Sequence, residues 1–295
     1  MKRLIIPILS AYLSLHCMEN QPGSIKLELH EWNANEYDKY RLVQNKGFLH
    51  FLKENKIIIK DRTILDAGCG PGRIAAQLAQ KARNVHGFDA SNNMITLARK
   101  KYEYIANVTF EQCFVETFTS REHYQLVIMS SCLDWLQYKE MALRRMYDSL
   151  EFNGEFFGDI HTSQDPTPLN LTVFNEMCND IMEIQNHFKN YPSSHCDSSY
   201  PSLDELKIML RSTGFDIIKA EIQSFDYRMT KKEFTQCQLY IVKNKPGVST
   251  MPLEQFNKFF EVFINRCLSK LKKNNDNTYI FPFTTTIVHA RKIKK

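Results

Sequence analysis

Ile64-Leu65-Asp66-Ala67-Gly68-Cys69-Gly70-Pro71-Gly72-Arg73 decides the fold of this 295-residue chain. Three of its ten glycines fall here, at alternate positions. Upstream, Ile57-Ile58-Ile59 and Ile64-Leu65 read as an apolar run ending in a buried parallel strand. Downstream, Ile74-Ala75-Ala76-Gln77-Leu78-Ala79 begins a helix with apolar residues on one side. A strand that turns through several glycines into a helix brings bare backbone N–H groups close to a ligand. Asp66 precedes the turn, where its carboxylate accepts hydrogen bonds or faces a cation.

Glycines after a strand also mark dinucleotide sites, and spacing separates the two cases. Gly-x-Gly-x-x-Gly would need glycine or alanine where Arg73 stands. The pattern here is Asp-x-Gly-x-Gly-x-Gly, from Asp66 to Gly72. It resembles the first motif of the class I S-adenosylmethionine (SAM) methyltransferases, of which Leu-Asp-Ala-Gly-Cys-Gly-Pro-Gly is a common spelling. The resemblance implies an α/β fold: a doubly wound, seven-stranded Rossmann-like sheet, mostly parallel with an antiparallel last strand, plus a helical lid. It also implies SAM as cofactor, with Asp66, Gly68, Cys69, Gly70 and Gly72 around it.

Hydrophobic content of 43% and charged content of 24% suit a globular enzyme. The net charge of +5 gathers at Lys270, Lys272, Lys273 and residues 291–295, with no basic stripe interleaved with aromatics, so nucleic acid is not an expected partner. Eight cysteines, at 17, 69, 113, 132, 178, 196, 237 and 267, include no Cys-x-x-Cys pair. They read as reduced thiols, with neither metal site nor disulfide framework. Met1-Lys2-Arg3 followed by an apolar run to Leu15 looks like a secretory signal. The run is short for a bilayer, and His16-Cys17-Met18 lacks a cleavage pattern. A start at Met18 would explain it. The expectation is a cytoplasmic monomer without stable membrane association, acting on a small molecule.

The chain divides into residues 1–23, an apolar leader; 24–56, a helical lid; 57–161, the cofactor core; and 162–295, the acceptor-side insertion with the remaining strands and helices. Trp32, Tyr37, Tyr40, Leu42, Val43 and Phe48 give the lid an apolar face. Trp32 to Tyr40, followed by Gln44, resembles the N-terminal lid of the trans-aconitate, juvenile-hormone-acid and malonyl-carrier-protein methyltransferase group. An ordinary packing helix accounts for the segment equally well.

Asn84–Asp89 reads as a second strand ending in an acid, 23 residues after Asp66. That is close to the spacing at which a carboxylate holds ribose hydroxyls. Ser91 caps a helix over Asn92–Tyr102. The resemblance places Ala90, Met94, Val115 and Ser130 beside the cofactor, although Met94 suits core packing as well. After a third strand, Val108–Gln112, the family's acid that meets the adenine is missing. Cys113-Phe114-Val115 stand there, so Phe114 edges the base or Glu116 reaches in. The fourth strand, Tyr124–Ser131, leads to Leu133-Asp134-Trp135, where relatives of this group commonly carry Leu-His-Trp. Trp135 forms a pocket wall or core, and Asp134 points away or binds an amine. A helix over Glu140–Leu150 and a turn at Asn153-Gly154 precede strand five, Glu155–His161.

Residues 162–200, with a helical segment at Phe174–Phe188, read as the acceptor-side insertion. A capped helix from Ser202 to Gly214, strand six at Phe215–Ile222, helices over 231–243 and 252–272, and a last strand at Tyr279–Arg291 complete the chain. Methylating a carboxylate needs alignment and exclusion of water rather than a base. The expected activity is O-methylation of a small, trans-aconitate-like carboxylic acid, with Trp135, Gln44 and His161 as catalytic-site residues and Arg228 as a further cation. A carrier-bound acid, an amine or another small acceptor, and a non-catalytic SAM-binding module, stay open. Arg73 and the lack of a Tyr-x-x-x-Lys pair at strand five disfavour a dehydrogenase.

Overall fold

The computed structural model describes residues 33–120, 122–166, 168–180, 200–243, 248 and 251–293. The apolar leader with Met18, Trp32, Cys17, Cys196, Pro192 and the second half of the Phe174–Phe188 segment lie outside them. The described residues belong to one compact unit, Glu31–Lys295.

Helices α1 (Ala34–Tyr40) and α2 (Leu42–Glu54) lead into β1 (Thr63–Ala67), α3 (Arg73–Leu78), β2 (Asn84–Asp89), α4 (Asn92–Tyr102) and β3 (Val108–Gln112). A single turn at Val115–Thr117 precedes β4 (Tyr124–Ser130), and another at Leu133–Trp135 precedes α5 (Lys139–Ser149). Then come β5 (Leu150–Ile160), α6 (Leu169–Asp180), α7 (Leu203–Thr213), β6 (Phe215–Thr230), α8 (Lys231–Lys243), α9 (Leu253–Lys270), β7 (Lys272–Lys273) and β8 (Thr278–Lys292). The sheet order is β3-β2-β1-β4-β5-β8-β6, with β7 on β8. The first five strands are parallel, and β8 runs antiparallel to both β5 and β6. The two-residue β7 makes eight strands where seven were expected.

Alternate strand residues serve opposite faces of the sheet. Ile64, Leu126 and Ile128 pack with Phe48, Phe51, Ala75 and Ile95 from α2–α4. Leu65, Val127 and Met129 pack with Leu143, Met146, Leu206 and Leu210 from α5 and α7. Helix ends follow the local chemistry. Ser91 Oγ accepts from Met94 N–H, and Ser202 with Glu205 forms a capping box on a helix that stops at left-handed Gly214.

Three expectations change. Ile57-Ile58-Ile59 is not strand: Lys56 is left-handed and Ile57 N–H bonds Leu52 C=O, so the run closes the end of α2. Strand five absorbs Asn153-Gly154 as a register shift against β4 and ends at Ile160, leaving His161 one residue beyond it. Strand six continues past Ile222 to Thr230, paired with β8 throughout. Its far half carries Phe225, Tyr227 and Met229 at alternate positions, and Met229 is buried in a third apolar cluster with Val173, Phe234, Phe263 and Cys267. The extended β6–β8 ribbon thus carries α6, α8 and α9, and α8 also packs on α1. None of the described helices is long and apolar enough to cross a membrane.

Candidate functional site

A cleft opens at the carboxyl ends of β1 and β4. Parallel α/β sheets bind ligands at this edge. One wall is Asp66, Gly68, Cys69 and Gly70; another is Ser130 and Ser131; α1, α2 and the junction between them supply Tyr37, Arg41, Gln44 and Asn45. Of the expected site residues, this cleft gathers Asp66, Gly68, Cys69, Gly70, Ser130 and Gln44.

The glycines are required by geometry. Gly68 and Gly72 sit at φ +72° and +77°. A Cβ at Gly68 would lie 2.3 Å from Cys132 Sγ, and one at Gly72 would lie 2.6 Å from the Phe110 ring. The loop is therefore pressed against β3 and the segment after β4 as bare backbone.

Asp66 is 1% exposed. One carboxyl oxygen, Oδ2, has no partner, while the carboxyl takes a hydrogen bond from Ala75 N–H in the first turn of α3. Burial first, then the nearby Asp89 charge, pushes its pKa up to about 7. A buried carboxyl with an unmatched oxygen on a cleft wall suits a cationic ligand group. Asp89 ends β2, where Oδ2 accepts Gly70 N–H and Oδ1 accepts Ser91 N–H, both at 2.9 Å. One carboxylate thus ties the glycine loop to the start of α4.

Helix α1 is fixed over this loop. Asp38 accepts from Arg73 at 2.9 Å and pairs with Lys101, joining α1 to α3 and α4. Arg73, the residue that breaks the dinucleotide pattern, is thus the anchor of the covering helix. Arg41 lies 5.0 Å over the Tyr37 ring and has no carboxylate partner among the described residues. Sequence reasoning overlooked it. Its signal was helical spacing, since Tyr37, Arg41, Gln44 and Asn45 recur at four, three and one residues along one face.

Several expected residues lie outside the cleft lining. Met94 and Val115 are buried in the core, Ala90 follows Asp89, and Phe114 is half-buried ahead of the turn Val115–Thr117. Glu116 is buried, and its carboxyl bonds Tyr138 N–H at the start of α5. Burial raises its pKa. Glu116 is therefore engaged away from the cleft lining. Trp135 is 58% exposed, which removes the core reading. Arg228 projects from the exposed part of β6 and is not a cleft residue. Asp134 and His161 come together at the same sheet edge, with His161 Nδ1 2.9 Å from Asp134 Oδ2. The five described cysteines outside α6 are all unpaired.

Comparison with known proteins agrees with this geometry. Residues 64–154 match the family described as "Methyltransferase domain". The malonyl-[acyl-carrier protein] O-methyltransferase of Bacillus cereus is 29% identical over 144 residues, 44% of this chain and 53% of that protein. The protein of the same name from Acetivibrio thermocellus is 25% identical over 222 residues, 68% of this chain and 72% of that one. The chain thus spans about half the length of the first of these relatives. Among solved structures, phosphoethanolamine N-methyltransferase 2 of Haemonchus contortus, in complex with S-adenosyl-L-methionine, has a TM-score of 0.53 at 17% identity. It covers 89% of this chain and 58% of that one, a likeness of fold.

Proposed function

The chain carries a class I SAM-dependent methyltransferase domain, and we propose that it methylates a carboxylate of a small or carrier-bound acid. The residues present fit SAM. The unmatched, buried Asp66 Oδ2 suits its ammonium, Arg41 its carboxylate, and Asp89 its ribose hydroxyls. The glycine loop, into which no Cβ fits at Gly68, lets the ligand lie against backbone. SAM supplies an electrophilic methyl group when bound.

The observation that carries the acceptor class is the cleft's own chemistry. Beyond Asp66 and Cys69 its described lining presents the neutral hydrogen-bonding side chains Tyr37, Gln44, Asn45, Ser130 and Ser131, and the cations Arg41 and Arg73, with no lysine or histidine among them. Arg73 is committed to Asp38. Such a site aligns an acceptor that is already ionised rather than removing a proton from it. The carrier-bound form is favoured by the names of the two relatives above. The test is to incubate the chain with SAM and malonyl-loaded acyl carrier protein, alongside free malonate and trans-aconitate. S-adenosylhomocysteine release is then matched to a base-labile methyl ester by mass spectrometry. A base-stable N-methyl product in an amine panel, with no ester from any acid, would overturn the reading.

Asp66 gives this site a pH signature. Its raised pKa means the unliganded folded chain retains a proton below about 7. An ammonium placed on the carboxylate displaces that proton. SAM affinity is therefore expected to rise with pH between 6 and 7.5, roughly severalfold, and to level off above it. Ligand-free stability should move oppositely, falling as pH climbs from the ordinary carboxylate range to about 7, because the folded state binds a proton that the unfolded state has released. Calorimetric titration of SAM across pH checks the first sign and ligand-free urea unfolding across pH the second, with Asp66→Asn as the flattened control in each.

A further inference from the structure

The Asp134–His161 pair is not used by the cofactor loop. Asp134 lies in the turn after β4 with its side chain 7% exposed, and His161 follows β5. Asp134 Oδ1 accepts the His161 backbone N–H at 3.0 Å, and Oδ2 accepts Nδ1–H at 2.9 Å. A carboxylate only accepts, so this pairing places a proton on Nδ1 and leaves Nε2 as the outward atom. Nε2 has no hydrogen-bond partner among the described residues, and the side chain is 26% exposed. The neighbouring Ser131, which lines the cleft, donates to Asp159 Oδ2 at 2.7 Å, so pair and cleft share one sheet edge.

We propose that His161, oriented by Asp134, donates Nε2–H to the carboxylate of the acceptor, so that the acid binds the protonated ring. This rests on the acid-acceptor reading above and assigns a recognition residue to it. The charged groups facing the ring come from every neighbouring segment. They are Asp134 after β4, Asp159 on β5, and Asp165, which Thr162 and Thr286 hold through hydrogen bonds. Tyr200 contributes a ring at 5.9 Å, and Lys139 and Glu116 lie near one another on the Asp134 side. Burial works against the charged ring, but Asp134, then Asp159 and Asp165, outweigh it, so His161 holds its proton above the ordinary histidine range. A neutral ring would instead turn a lone pair toward an anion.

The test uses the full chain saturated with S-adenosylhomocysteine and probed with malonate, glutarate and trans-aconitate from pH 5.5 to 8.5. NMR follows the His161 ring while calorimetry follows binding. The expected result is a ring titration above about 6.5, raised further by a bound dicarboxylate, and dicarboxylate affinity falling about tenfold per pH unit above that midpoint. Asp134→Asn should lower the midpoint, and His161→Gln should lose most dicarboxylate affinity with S-adenosylhomocysteine binding unchanged. Dicarboxylates that bind His161→Gln as well as the wild type, or with no pH dependence, would overturn the inference while the acid acceptor stands. No dicarboxylate binding at any pH, with the nucleoside still bound, would overturn both. A turnover rate that instead rises with pH through the His161 midpoint would mark the ring as a base and overturn the donor role.

Discussion

Gly68→Ala is expected to cost about 3 kcal/mol or more of stability, combining backbone strain with overpacking. The residue sits at φ +72°, where a non-glycine residue is strained. The new methyl would also lie 2.3 Å from Cys132 Sγ and 2.8 Å from Cys132 Cβ. The second contact is with the root of the side chain, so a rotamer change does not relieve it. Cys132 cannot back away freely, because Ser131 beside it is itself left-handed, and its N–H and Oγ–H both bond Asp159. The segment after β4 must shift, taking Ser130 and Ser131 out of the cleft wall. Gly70→Ala is the control. That glycine is also left-handed, at φ +53°, but its Cβ would meet only the Tyr37 ring at 3.7 Å, an ordinary contact. It should cost about 1 kcal/mol, from backbone strain alone. Urea unfolding midpoints decide the matter. Equal losses for the two variants would mean that packing against Cys132 adds nothing.

What was legible in the sequence, and what was not, follows a physical line. The β1–loop–α3 unit was readable because the spacing of three alternate glycines after a strand separates it from a dinucleotide loop, and all three take positive φ. Asp89 was readable from spacing, and the helix at Ser202 from its capping pair and terminal glycine. Each of these signals is local. The misreadings came from a local backbone conformation that residue type does not announce, or from partners distant in sequence. Ile57-Ile58-Ile59 is as apolar as a strand, but a left-handed Lys56 turns it into a helix end. Strand six was read only as far as Ile222, and beyond it Ser224, Asp226 and Arg228 face solvent. Their alternates, Phe225, Tyr227 and Met229, become meaningful only against β8 and the helices it carries. Trp135 reads as an interior residue by type, yet the turn after β4 sets it outward. Arg41 was hidden for a different reason. A surface arginine is ordinary until Asp38 pins its helix over the glycine loop, and the residues that pin it, Arg73 and Lys101, are 35 and 63 positions away.

Asp89→Ala is expected to weaken SAM binding at least tenfold, about 1.4 kcal/mol, and on the order of a hundredfold if both ribose hydroxyls lose a charge-assisted acceptor. The carboxylate is already built into the site: Gly70 N–H and Ser91 N–H each donate to one of its oxygens at 2.9 Å. A carboxylate oxygen accepts more than one hydrogen bond, so the same two atoms can serve backbone and ligand together. Removing the side chain therefore has two effects, loss of the ribose acceptor and release of the loop at Gly70. Asp89→Asn separates them, because the amide oxygen keeps one backbone donor while the negative charge is gone. The asparagine variant should fall between wild type and Asp89→Ala, with an unfolding midpoint close to wild type. A cofactor analogue lacking the ribose 2′-hydroxyl isolates the contact itself. If the hydroxyl lies on Asp89, the analogue binds more weakly than SAM to wild type and with little further penalty to Asp89→Ala. An equal penalty in both proteins would mean that Asp89 shapes the loop and does not touch the ribose, and the ligand orientation inferred from Asp66 and Arg41 would then have to be reversed or abandoned.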